Sequence, residues 1–223
     1  MTFKIKKLTA KIVHLQFEDP RLMSMTMLRF QEFFESPKFR GRIFSLNEFK
    51  VWYKKKNRTN RFTYYSDWWG FNFPAKILTP FKKGLFGKLS KQEILFLEKM
   101  AFLDEESYII STSKKHNDVQ RHEQAHAFYF TDASYKIKVD KILDLLPRTE
   151  YPKKQISLLN SGYHESVLHD ELHAYLLENC GETWDDLTKS LKLEKEFSDK
   201  ELIIYKKVSS RLSKNLDLYL SRR

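Results

Sequence analysis

The chain has 223 residues with 40 Lys+Arg against 29 Asp+Glu, a formal net charge of +11, and is 41% hydrophobic and 15% aromatic. That composition excludes wholesale disorder, and the length suits one domain able to bury a sizeable core. No apolar run approaches the roughly 18–20 residues of a membrane span, and a single cysteine, Cys180, excludes both an internal disulfide and a cysteine metal cluster.

The N-terminus lacks the apolar segment of a secretory signal, so the chain is expected to be intracellular and cytoplasmic. Its charge is lopsided. Residues 1–100 carry 21 Lys+Arg and 8 Asp+Glu, whereas residues 101–223 carry 19 and 21. A basic half can attract nucleic acid, acidic lipid or acidic peptide, or can simply be a solvated surface that keeps the chain soluble. The expected organisation is a single α+β, helix-rich domain. It has a basic part with an aromatic loop at 1–103, a core at 104–181 and C-terminal helices at 182–223.

Residues 11–17 alternate loosely and predict a strand. Asp19-Pro20 follows as a helix start, Asp as N-cap and Pro at N1, with an apolar stripe from Leu22 to Phe34. Ser45 and Glu48 form a capping-box pattern opening a second helix, which ends in the basic turn 54–58. Residues 62–73 hold seven aromatics in twelve positions, interrupted by Gly70 and closed by Pro74. Poor periodicity predicts an irregular loop or short strands pinned to the core by rings; the rings could also wall a ligand cleft or serve as a single-strand nucleic-acid platform. Ser90 and Glu93 repeat the capping pattern for a helix reaching about Phe102. Residues 107–113 predict a strand, then a polar break with Asp118 as the next N-cap. Further helices are expected at about 134–146, 163–179, 183–193 and 198–220.

The chemistry concentrates in Arg121-His122-Glu123-Gln124-Ala125-His126-Ala127. It reads H-E-x-x-H within a helical pattern whose inner face carries His122, Glu123 and His126. Imidazoles four apart on a helix can close on one metal ion, each nitrogen at about 2.0–2.1 Å from zinc. Chance matches to so short a motif occur in helices that bind nothing. The motif resembles that of the zinc metallopeptidases called zincins. The resemblance implies a zincin-like core holding one Zn2+ per chain, with Glu123 beside the metal as general base for a metal-activated water.

Such a site needs a third protein ligand. In the predicted helix 163–179, Glu171 falls in the middle of an apolar stripe of Val167, Leu168, Ala174 and Tyr175. A carboxylate there is costly unless paired with a Lys or Arg or bound to metal. His122, His126 and a downstream Glu171 resemble the gluzincin ligand set; Glu165 is the competing choice. No further ligand follows His126 at metzincin spacing, and the Glu171 helix lacks a thermolysin-like N-E-x-x-S-D string. For the oxyanion of the reaction, Tyr163 and His164 are the expected electrophiles, with Tyr175 and Tyr129 as plainer core rings. His169 and His173 are expected on the polar face or as partners that hold an acid in place.

The sequence thus predicts a zinc-dependent hydrolase, a metallopeptidase taking a peptide or protein along the strand at 107–113, or another zinc amidohydrolase. The alternative is a non-catalytic zincin-like binding module that contacts nucleic acid or a protein through its basic half. Glu123 separates them, because a structural site has no use for a general base.

Overall fold

The computed structural model describes residues 3–115, 119–146, 164–178 and 199–221, a helix-rich α+β chain with a small four-stranded sheet. The expected helix at 183–193, the Asp118 cap, Tyr163, Cys180 and the Ser198 cap lie outside the described residues. The chain divides into two compact units, Met1–Gln120 and Arg121–Arg223. Among the described residues no helix is long and apolar enough to cross a membrane.

The first unit holds strands β1 (Phe3–Lys7), β2 (Ile12–Phe17), β3 (Gly70–Pro74) and β4 (Tyr108–Ser113), in the order β1-β2-β4-β3. β2 and β4 run parallel; the two outer pairings are antiparallel. Helix α1 (Pro20–Glu35) starts as its sequence dictates: Asp19 accepts from the Arg21 N–H, and Pro20 opens the first turn. Its Met23, Met27 and Phe30 join Val13, Leu15, Phe17, Phe71, Phe73 and Ile109 from one face of the sheet in a continuous core. The core is rich in rings because α2 (Leu46–Lys56), the one-turn helix α3 (Tyr64–Asp67), α4 (Thr79–Lys82) and α5 (Lys91–Lys99) add Phe49, Tyr53, Tyr64, Phe81 and Phe96.

The aromatic stretch is therefore resolved as one helical turn followed by an edge strand. Tyr64, Phe71 and Phe73 are buried in the core, and Pro74 is tolerated because β3 is at the sheet's edge. Ser90 and Glu93 close a reciprocal capping box on α5, and the Glu93 carboxylate also takes Arg29 in a bidentate pair at 2.6 Å for both bonds. At α2, Ser45 accepts from the Glu48 N–H, but the Glu48 side chain pairs with Arg42, so only half of the expected box forms. One expectation fails outright. β4 has β2 on one side and β3 on the other, so it has no free edge along which a peptide could pair.

The second unit is helical among its described residues. It contains α6 (Gln120–Thr131), α7 (Ala133–Leu143), a short 3₁₀ turn (Glu165–Val167), α8 (Leu168–Glu178) and α9 (Asp199–Leu220). Asp132 caps α7 by accepting from the Tyr135 N–H. α9 lays Tyr205, Val208, Leu212, Leu216 and Tyr219, a stripe at three- and four-residue spacing, against α7 and α8. Ser209 ties it to the Leu176 carbonyl, and Arg121 reaches Asp217 and Ser213.

Candidate metal centre

The motif helix is buried through seven consecutive residues, His122 to Phe128. His122 and His126 fall one turn apart and present their Nε2 atoms to each other at 3.0 Å. Packed beside them, α8 brings in Glu171, whose Oε2 is 3.8 Å from His122 Nε2 and whose Oε1 is 3.7 Å from His126 Nε2. Ligands at about 2.0–2.1 Å from a tetrahedral zinc stand about 3.3–3.4 Å from one another. The three separations bracket that value, and the group is one that could hold a metal ion.

Two further observations fit a cation at this point. Glu171 is 3% exposed, and its Oε2 makes no hydrogen bond. A carboxylate oxygen buried without a donor is costly, and the Lys or Arg that would make it a structural ion pair is not beside it among the described residues. Burial pushes the Glu171 carboxyl up to about 7, against the pull of His126 and His122. Two nitrogens and one oxygen also form a donor set that suits zinc and other divalent transition metals.

A second layer fixes the first. His126 Nδ1 donates to Asp170 Oδ2 at 2.9 Å, which turns Nε2, the other ring nitrogen, toward His122 and Glu171. His173 Nδ1 is 3.4 Å from Asp170 Oδ1, and its Nε2 accepts from the Tyr135 hydroxyl at 3.0 Å. Both His173 and Tyr135 are fully buried. Burial opposes a charge on His126, but the carboxylates of Asp170, Glu171 and Glu123 outweigh it and hold its pKa well above the usual histidine range. For His173, burial dominates and lowers its pKa, so it is the neutral partner this chain requires. Burial would raise Asp170, yet His126 and His173 hold it well below the usual carboxylate range. Tyr129, Asp140 and His169 make a separate, more exposed trio, with Asp140 accepting from both neighbours.

His122, His126 and Glu171 are thus brought together, and Glu123, buried on the next position of the same helix, carries its field into the cluster. Glu165 is exposed in the 3₁₀ turn and takes no part. His164 caps that turn, with Nδ1 held by Ser166. Tyr175, read from sequence as a plain core ring, is half-buried one turn beyond Glu171, its ring set edge-on to His122 at 5.1 Å between centroids. Sequence reasoning missed Asp170 and Tyr135. An acid immediately before Glu171, in Asp170-Glu171, was the available signal for Asp170; nothing local marked Tyr135.

No protein-family profile matches the sequence, and neither a curated protein nor a solved structure matches it significantly.

Proposed function

We propose that the protein is a zinc-dependent hydrolase of gluzincin-like type, a metallopeptidase acting on a peptide or protein, with His122, His126 and Glu171 as ligands. The observation that carries this reading is the buried Glu171 oxygen without a donor, facing two imidazole nitrogens at ligand spacing. A divalent cation held by this set would supply a Lewis acid and lower the pKa of a water toward about 7.

The remaining work falls to side chains. In this reading Glu123, buried one position from His122, would take a proton from a metal-activated water and return it to the leaving amine. Asp170 holds the His126 ring in the tautomer that leaves Nε2 as a lone-pair donor. Tyr175, half-buried with its ring edge-on to His122, would serve as the oxyanion's donor in this reading. The zincin-like core in this reading is the helix pair α6 and α8. Cleavage of another amide by the same groups is the same chemistry on a different substrate.

Metal analysis and a fluorogenic peptide library test the proposal together. Wild type is expected to hold one zinc per chain, lost in His126→Ala and Glu171→Ala and kept in Glu165→Ala. Glu123→Gln should keep the zinc and lose hydrolysis by a factor of about 10²–10⁴, the usual contribution of a general base. A wild-type protein that takes up no zinc refutes the site; zinc uptake with hydrolysis unaffected by Glu123→Gln refutes the catalytic role.

A further inference from the structure

The first unit carries a surface that the hydrolytic reading does not use. Residues 38–61 contain nine Lys+Arg and one acid, Glu48, and that acid is taken by Arg42. Along α2, Lys50 and Lys54 stand one turn apart. Beyond them Lys54, Lys55, Arg58, Thr59 and Asn60 line an open cavity of about 270 Å³. Among the described residues Lys50, Lys54, Lys55, Arg58 and Arg61 make no ion pair. Lysines at a helix C-terminus do answer its partial negative charge, equivalent to about half an elementary charge. That accounts for a fraction of the charge gathered at this end of α2.

Rings are interleaved with these cations. Lys50 Nζ stands 5.4 Å from the Phe62 centroid and 5.9 Å from Tyr65, Arg21 covers Tyr65 at 5.5 Å, and Lys56 covers Trp52 at 5.2 Å. Phe62, Tyr65 and Trp52 are all half-buried, seated on the core by one side. The nearby acid, Asp67, is engaged by the Tyr53 and Thr63 hydroxyls. We infer that this face binds single-stranded nucleic acid, with the cations on phosphates and the rings taking bases. A lysine over an exposed ring is held weakly, whereas base stacking on the same ring is worth more. A strand arriving here therefore draws each lysine to a phosphate and takes its place on the ring. An anionic membrane is the less suitable partner, because the rings are anchored inward and of the apolar side chains on α2 only Val51 is strongly exposed.

Anisotropy of a fluorescein-labelled 20-nucleotide single strand with the full-length protein tests this, scored over a salt series. Five phosphate contacts on a single strand give a log–log salt slope of about −3.5, hence about a 100-fold loss of affinity from 50 to 200 mM salt. The triple variant Lys54→Glu/Lys55→Glu/Arg58→Glu should lower the slope to about −1.4 by removing three contacts. The matched variant Lys4→Glu/Lys6→Glu/Lys7→Glu, at exposed positions of β1, changes net charge equally and should keep most of the slope. Tyr65→Leu should weaken binding about tenfold with the slope unchanged, the signature of a lost stack. Equal loss in the two triple variants overturns the inference, as does binding to phosphatidylserine vesicles without binding to the oligonucleotide. None of these readouts depends on zinc.

Discussion

Asp170→Asn is the sharpest test of how the candidate metal centre is held together. The substitution keeps shape and removes one charge, so packing around α8 is undisturbed. What changes is the bond from His126 Nδ1, 2.9 Å long and charge-assisted because Asp170 is ionised throughout the working range of pH. A hydrogen bond to a charged group contributes about 1.5–3 kcal/mol, and its neutral counterpart roughly half as much. Loss of a carboxylate behind a metal-bound histidine costs about 10–100-fold in metal affinity, or about 1.4–2.8 kcal/mol. Halving the first figure gives a loss of about 0.75–1.5 kcal/mol, so the two routes meet at about 1.4 kcal/mol, a factor of about ten. Zinc affinity measured by competition with a chromophoric chelator should fall by that factor in Asp170→Asn while the stoichiometry stays at one. His173→Gln, one bond further out, should cost less. Wild-type affinity in Asp170→Asn, alongside loss of zinc in His126→Ala, would refute the claim that Asp170 orients the ligand.

Other expectations concern the first unit. Arg29 and Glu93 form a bidentate pair whose side chains are 3% and 5% exposed, so Glu93→Gln should destabilise the protein by about 3–5 kcal/mol in urea denaturation. Arg29→Met/Glu93→Leu, which leaves no charge behind, should cost less than either single change; a larger cost would refute the argument. Burial pushes Glu32 up to about 7, so the folded chain binds a proton there that the unfolded chain, with its ordinary carboxyl, has lost. Stability from this group is complete below about pH 4.5 and lost as pH rises through 7, a change of about 3 kcal/mol at 1.36 kcal/mol per pKa unit. Glu32→Gln should therefore match wild type near pH 4.5 and exceed it by up to that amount at pH 8; a difference independent of pH sinks the assignment. His14, pushed down to about 4 by burial with a lesser push from Lys6, has the opposite sign. Its stability is complete above about pH 6.5 and lost on acidification toward 4. Between pH 4.5 and 6.5 the two act in opposite directions, so His14→Gln should gain more stability than wild type on acidification through that window, and equal gains would refute the assignment.

Elements with local signals were legible, and those defined by their neighbours were not. α1, α2 and α5 announce themselves through Asp19-Pro20, Ser45 and Ser90, because a cap is a short-range hydrogen bond written within four residues. The sequence Phe3-Lys4-Ile5-Lys6-Lys7 reads as a polar terminus, yet it pairs as the outer strand of the sheet, where lysines are at home on an unpaired edge. β3 was obscured by Gly70 and Pro74 and becomes a strand only because β4 is there to pair with it. The same holds for the cations over the rings. Lys50 and Arg21 come from other elements than Phe62 and Tyr65, so the sequence shows a knot of aromatics where the fold alternates rings with charges.

At the candidate metal centre the division follows the same line. Glu171 was legible because its fault is local, a carboxylate inside an apolar stripe. Asp170 lies off that stripe and gains its meaning only when α6 sets the His126 ring against it. Together the groups frame a charge problem. Glu123, Asp170 and Glu171 are three acids around His122, His126 and His173, nearly all of them withdrawn from water. Were the imidazoles neutral and the acids ionised, the cluster would carry three negative charges in a medium that solvates them poorly. Protons can relieve this: the raised pKa values of Glu171 and His126 are that relief. A dication relieves it with the same atoms and without spending the two ring nitrogens and the Glu171 oxygens on hydrogens. Asp170 supports that outcome, since its bond to Nδ1 leaves His126 Nε2 as the lone-pair face. The half-buried Asp170 behind the second histidine, and the His173–Tyr135 link behind Asp170, are the supports a cation site would use to hold its ligand, and metal analysis of the wild-type protein decides whether they serve one.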